Sequence, residues 1–287
     1  MLLSRNYAPS AVLAPFIARH YVFSAALPAD FELIDRLLAE TAFVRILLQG
    51  DWAAETAPGQ WNGAGQVVFF GASARPLTVR CRGPFTVVGM AFRPCGWRGL
   101  FEQRASVLAD RMLPFGDLWG DGAAALLEAV APLDDDAAIV AACEAAVLAR
   151  LKAIGRWAID EPMRRFERIA RHDSTIKVQA AEDLLALSER QFKRQCVTCF
   201  GHMPKTVLRR SRFLDMATVM RGFGTPSDAE LAELRYFDQS HRNREFRHFI
   251  GMTPSQFEKT PTPLLTASLE LRHLRKAEEE AEERIHG

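Results

Sequence analysis

"YFDQSHRNREFRHFIGMTPSQF", residues 236–257, holds an Asp, a dense run of Gln, Ser, His, Asn and Arg, and then Gly-Met-Thr-Pro. Asp238 is placed to cap a helix N-terminus. Phe246 and Ile250 lie one turn apart and form its inner face. That leaves Gln239, Ser240, His241, Asn243 and Arg244 outward. Gly251 is a helix stop, and Pro254 starts the next helix. About fifty residues upstream, "LSERQFKRQCVTCFGHMP" (187–204) repeats the layout. Ser188 caps with Gln191 as its capping-box partner. Phe192 and Cys196 face inward, while Arg190, Gln191, Lys193 and Arg194 are left outside. Gly201 stops the helix and Pro204 begins another. A shorter Ala/Leu helix precedes each unit, "VQAAEDLLAL" (178–187) and "SDAELAELRY" (227–236). Short helix, tight turn and capped polar helix make a helix-turn-helix. A major groove admits one such helix, and Arg, Lys, Asn, Gln, Ser and His are the side chains that read base edges.

The tandem arrangement closely resembles the AraC/XylS family of bacterial transcription regulators. The residues that carry the likeness are Ser188-Glu-Arg-Gln-Phe192, Arg194, Gly201, Pro204 and Arg212, then Tyr236, Asp238-Gln-Ser-His241, Arg244-Glu-Phe246, Gly251, Thr253-Pro254 and Phe257. The match spans roughly Arg165 to Thr260. More loosely, "FGASARPLTV", "FTVVGMAFRPCGWRGLF" and "LADRMLPFGDLWG" resemble an N-terminal domain often fused to this module. That resemblance implies a cupin-like β-barrel used for sensing or dimerisation.

The chain departs from the family pattern at three places. Ala186 and Arg235 stand where the turns usually carry Gly. A non-Gly residue at positive φ costs ~1 kcal/mol or more, so reshaped turns are expected. Arg242 stands where the family places a buried aromatic. An unpaired buried Arg is costly, so this side chain snorkels outward or shifts the helix.

The front half reads as strands and turns. "AFVRILLQGDW" (42–52), "GQVVFFGAS" (65–73), "RPLTVRCRG" (75–83) and "PFTVVGMAFRP" (84–94) are short β-branched and aromatic runs with Gly and Pro between them. After Pro114 the pattern becomes helical. Asp134 to Asp136 supply an N-cap and first turn. Ile139, Cys143, Ala146, Val147 and Arg150 follow at helical spacing, which marks a linker or a dimer-forming helix. The last stretch is an acidic helix with Arg275–Glu279 and Lys276–Glu280 at i, i+4, read as solvated.

Charge is divided along the chain. Residues 1–163 hold 14 Lys+Arg against 17 Asp+Glu, whereas residues 164–263 hold 18 against 12. A basic block beside an acidic one fits a polyanion-binding module attached to a regulatory one. No apolar run reaches the ~18 residues of a membrane span, and no signal peptide is evident. Five scattered cysteines suit free thiols in a reducing cytoplasm. Cys196 and Cys199 form a C-x-x-C with only His202 nearby, so packing is the expected role, as it is for Cys81 and Cys95. Asp51, Glu55 and Glu40 show no paired-carboxylate constellation. His20 and the aromatics Tyr21, Phe23, Trp52, Phe69, Phe70, Phe92 and Trp97 either line a ligand pocket or fill a barrel core. No nucleophile elbow, zincin or phosphate-loop motif is present.

The expected architecture is therefore α+β. A cupin-like β-barrel domain (1–133) is followed by a helical linker (134–163), a tandem helix-turn-helix domain (164–262) and a terminal acidic helix (263–287). The DNA-contact set is Ser188, Arg190, Gln191, Lys193, Arg194, Gln239, Ser240, His241, Asn243 and Arg244. Lys193, Lys205, Arg209 and Arg210 are backbone-positioning charges. The expected partners are double-stranded DNA, a small-molecule effector, a second copy of the chain and RNA polymerase. No cofactor, metal or catalytic role is called for. The alternative is a ligand-binding or protein-interaction module with degenerate DNA reading.

Overall fold

The computed structural model describes residues 2–224 and 239–286. Its front half is one bent antiparallel sheet of eight strands: β1 (Leu2–Tyr7), β2 (Ile17–Ala25), β3 (Glu32–Leu37), β4 (Phe43–Ala57), β5 (Gln60–Asn62), β6 (Val67–Phe70), β7 (Leu77–Phe92) and β8 (Met112–Pro114). The order is β1-β2-β7-β4-β6-β8, with β3 also on β7 and β5 also on β4. Among the described residues no ladder joins the two ends. The sheet is cupin-like without closing into the expected barrel.

The two strands expected on either side of Gly83-Pro84 are one strand, β7. Gly83 takes φ +61° and bends it without ending it. The bend changes the partner: β3 pairs with Leu77–Arg82 and β2 with Phe85–Phe92. β4 follows both halves, with irregular register around Gln49. Gly50 (φ +94°) lies there, and a Cβ on it would meet Phe85 Cβ and the Pro84 carbonyl at 2.6 Å.

Period-two alternation gives the sheet two different faces. Val22, Val44, Ile46, Val88 and Met90 face a layer made by α4 (Asp121–Val130) and α5 (Asp136–Ile154). Phe69, Phe92, Trp97, Phe101, Phe115 and Trp119 fill that core, with Trp97 and Phe101 centroids 4.4 Å apart. Asp135 caps α5 by accepting from Ala138 N at 2.8 Å, and Gly155 (φ +71°) ends it. The helix expected as a linker thus gives Ile139, Cys143, Val147 and Leu151 to the front core. At roughly 1.5–3 kcal/mol per buried aliphatic side chain, that face anchors it firmly.

The helical half contains α6 (Glu161–His172), α7 (Val178–Leu185), α8 (Glu189–Phe200), α9 (Pro204–Met220), α10 (Gln239–Ile250), α11 (Pro254–Lys259) and α12 (Pro263–His286). The terminal helix α12 is not solvated as expected. Leu265 and Leu269 are buried among Phe213, Phe246, Phe249 and Phe257. Asp35 on β3 accepts from Leu264 N (2.6 Å) and Leu265 N (3.4 Å), capping α12 from another element. Arg272 donates to Asp215 Oδ1 from Nε (3.0 Å) and Nη2 (2.8 Å), to Ser211 Oγ (2.8 Å) and to Glu40. The expected Arg275–Glu279 pair does not form; Glu279 accepts from Arg171 and lies 2.8 Å from His172 Nε2. An amphipathic helix with one buried apolar stripe and a buried Arg is a wall of the molecule.

Candidate nucleic-acid interface

The first unit is built on α7, α8 and the turn between them. Leu185, Phe192 and Cys196 pack on Phe166 of α6, with the Phe166 and Phe192 rings edge to face at 4.7 Å. The turn is not reshaped. Ala186 holds the left-handed conformation a Gly would take, φ +53° and ψ +41°. Leu187 N donates to Glu182 O and Ala186 N to Asp183 O, both at 3.2 Å, which is the Schellman pattern with Ala in the glycine's place. Two residues on, Ser188 caps α8. Gln191 N donates to Ser188 Oγ at 3.4 Å, and Ser188 N donates to Gln191 Oε1 at 3.0 Å. Gln191 thus keeps its side-chain NH₂ for a ligand while its oxygen holds the cap.

Arg190 and Arg194 are exposed on the outer face of α8, with no hydrogen bond or ion pair to any described residue. Lys193 is half-buried and pairs with Glu189 one turn back. Cys196 and Cys199 are buried free thiols whose ionisation burial opposes, Cys199 up to about 12, so neither is a reactive or ligating thiolate.

In the second unit, α10 carries the outward face. Ser240 and Arg244 are exposed, and His241 and Asn243 are half-buried. Phe246, Phe249 and Ile250 face the core. Gly251 (φ +67°) ends the helix, and Thr253 with Gln256 forms a second capping box at α11. Arg242 is half-buried, with Nε lacking an acceptor. Arg247 and His248 extend the exposed surface beyond the residues singled out from sequence. Asp238, Arg235, the helix expected over residues 227–236 and the Gln239 side chain lie outside the described residues.

Two expected backbone-positioning charges do other work. Arg210 is 1% exposed and donates to Ser73 O at 2.8 Å, fixing α9 to the front sheet. Helical spacing could not show that the front half covers this side of α9. Arg209 donates to Glu245 Oε1 (2.5 Å) and Oε2 (3.2 Å), and Glu245 is 4% exposed. This pair, half-buried at Arg209 and buried at Glu245, ties α9, the helix between the units, to α10. Lys205 remains exposed.

Against protein-family models, residues 182–260 match a helix-turn-helix domain, and residues 5–114 match a domain of unknown function, DUF6597. Residues 182–260 therefore belong to a helix-turn-helix domain. No curated protein matches the chain by sequence. Among solved structures it is similar to ToxT from Vibrio cholerae, at 11% identity and a TM-score of 0.47 over 84% of this chain and 97% of that one. It is also similar to the unsaturated fatty acid-bound ToxT of strain SCE256, at 9% identity and TM-score 0.46 over 83% and 94%. At such identity no individual residue of ToxT maps onto this chain. No described helix is long and apolar enough to cross a membrane.

A cavity lies beside the helix-turn-helix domain. It measures about 170 Å³ and opens between the concave face of the sheet and α12. Tyr21, Phe23 and Trp52 line it, whereas His20, Phe69, Phe92 and Trp97 face the opposite core. That resolves the two readings of these aromatics by face. Tyr21 donates to Val44 O at 2.8 Å. Arg19, Arg45, Arg171, Arg272 and Arg275 reach the cavity, against one lining carboxylate, Glu40. Burial opposes the charge on Glu40, but Arg272, Arg171 and Arg210 outweigh it and lower its pKa to about 2. It is already committed to Arg272.

Proposed function

We infer that the chain is a transcription regulator of the AraC/XylS type, that it reads a specific duplex with α8 and α10, and that its cavity takes an apolar organic acid as effector. The observation that supports DNA reading is the pair of helices whose outer faces carry Arg190, Gln191, Arg194, Ser240 and Arg244 in solvent. The Arg side chains supply bidentate base contacts or phosphate contacts. Lys193, His241, Asn243 and Gln239 complete the reading surface, with Ser188 holding the N-terminus of α8. Two such helices in one chain fit major-groove faces about one helical turn, ~34 Å, apart.

The effector reading rests on an apolar cavity with an excess of buried cations, since a buried charge without a partner is costly. α12 supplies the coupling. Leu264 and Ala267 belong to the sheet-side cluster, and Leu265 and Leu269 to the core behind α10. A ligand that shifts α12 therefore bears on the second unit. With this reading go a second copy of the chain and RNA polymerase as partners, a cytoplasmic location and no catalysis.

Selection of bound fragments from sheared genomic DNA at physiological salt tests it. The expected result is one enriched motif of two elements spaced by about one helical turn, bound with a steep salt slope. Sequence-blind recovery would replace this reading with that of an interaction module.

A further inference from the structure

The cations of the cavity are not one cluster. On the concave face the strand registers set residues in rows: Arg19 lies opposite Ala91, which lies opposite Phe43; Tyr21 lies opposite Gly89, which lies opposite Arg45. Arg19 and Arg45 are thus two strands and one row apart, roughly 12 Å between Cα atoms for ordinary sheet spacing. Gly89 separates them without a side chain, and the Tyr21 ring lies over it; a Cβ there would meet Tyr21 Oη at 2.8 Å.

One pole is Arg45, which is 6% exposed. Its guanidinium carbon sits 3.2 Å from the Trp52 ring centroid and 4.8 Å from that of Phe70. The aromatic faces orient the cation but accept none of its hydrogen bonds in plane, and Nε has no acceptor. The other pole is Arg19 with Arg275 of α12. Arg19 Nε and Arg275 Nη2 are buried without acceptors. The acids near this second pole are mostly engaged by other cations. Glu40 binds Arg272, Glu279 binds Arg171 and His172, and Glu167 accepts through Oε1 from Arg171 at 2.8 Å and Arg93 at 3.2 Å, leaving its Oε2 buried without a donor. Burial lowers the pKa of both Arg45 and Arg275 to about 9, as expected of cations awaiting a counter-charge.

We propose that the effector is an apolar molecule with an acid group at each end, one held by Arg45 between Trp52 and Phe70, the other by Arg19 and Arg275 beside α12. This rests on the effector-site reading above and sharpens it. Only the second acid touches α12, so it is the group that couples binding to the helix behind α10. The first fixes the ligand's register along the cavity and rejects molecules that end in a methyl group.

The test is calorimetric titration of the full chain with sebacic, dodecanedioic and tetradecanedioic acids, and with decanoic, dodecanoic and tetradecanoic acids of matched length. At least one diacid is expected to bind about tenfold or more tighter than its monoacid, as one desolvated charge-assisted pair allows. Arg45→Met and Arg275→Met should each reduce the diacid's advantage over its matched monoacid to about twofold or less. Equal binding of diacid and monoacid by the wild type would overturn the two-pole assignment and leave the effector site standing. A diacid preference that survives Arg45→Met would overturn the role given to Arg45. No binding of either series would overturn the effector-site reading itself, and the wild-type comparison decides this without any variant.

Discussion

Replacing Arg272 by Met should cost about 3–5 kcal/mol. The guanidinium is buried and holds two carboxylates from different elements, Glu40 before β4 and Asp215 on α9, as well as Ser211 Oγ. Met fills much of the same volume, so little is lost in packing; the penalty comes from the stranded acids. Glu40 sets a figure of the same order for the cluster as a whole: against burial, Arg272 together with Arg171 and Arg210 lowers its pKa from 4.5 to about 2, which corresponds to about 3 kcal/mol shared among the three cations. For a chain of this size that is a fall in Tm of about 6–20 °C in scanning calorimetry. The pH dependence gives the sign. A carboxylate with a depressed folded pKa stabilises above its unfolded value of 4.5 and loses that stabilisation as pH falls through about 2. The gap between wild type and variant should therefore be full at pH 7 and shrink below about pH 4.5. Adding Glu40→Gln and Asp215→Asn to Arg272→Met should recover part of the loss. A variant within about 2 °C of wild type at pH 7 would refute the account of α12 as a wall held by a buried ion network.

Ala186→Gly should raise stability by about 1 kcal/mol in denaturant unfolding, since Ala186 is exposed and its cost is the left-handed backbone alone; a neutral or destabilising result would mean that the strain is relieved elsewhere. Asp35 is raised to about 6 by burial, against its three backbone donors, so its contribution favours folding below pH 3.8 and is lost as pH rises through about 6, by at most about 3 kcal/mol. Tm against pH should accordingly differ in slope between about pH 4 and 6, with Asp35→Asn lacking the loss that wild type shows there; parallel curves would count against it. Glu245→Gln should leave α10 helical by circular dichroism yet weaken DNA binding several-fold, because Arg209 then loses the buried charge that positions it; unchanged binding would show that the α9–α10 pair has no part in presenting the helix.

The helix-turn-helix units were legible because their signals are local. Ser188 with Gln191, Gly201 with Pro204 and Gly251 with Pro254 each act within a turn of chain, and each forms as read. What escaped was long-range. Gly83-Pro84 reads as a break, but β3 and β2 both find β7, so a bend replaces an end. Arg210 and Arg272 read as surface charges from their spacing, yet their partners are Ser73, 137 residues away, and Glu40, 232 residues away. The terminal helix α12 looked solvated because its Glu-rich tail dominates its composition, and the residues of α9 and α10 that bury Leu265 and Leu269 are remote from its local pattern. Period-two aromatics could not reveal which face is core and which is cavity, because both faces of this sheet are covered.

The most direct test of the central claim is the affinity of wild type, Arg194→Ala and Arg244→Ala for the selected duplex, measured across a range of salt. Each variant should lose about 1–3 kcal/mol and relax sequence preference in one element of the motif only, Arg194→Ala in one and Arg244→Ala in the other. Either variant binding within about twofold of wild type, with both elements still enforced, would contradict the claim that both α8 and α10 read DNA.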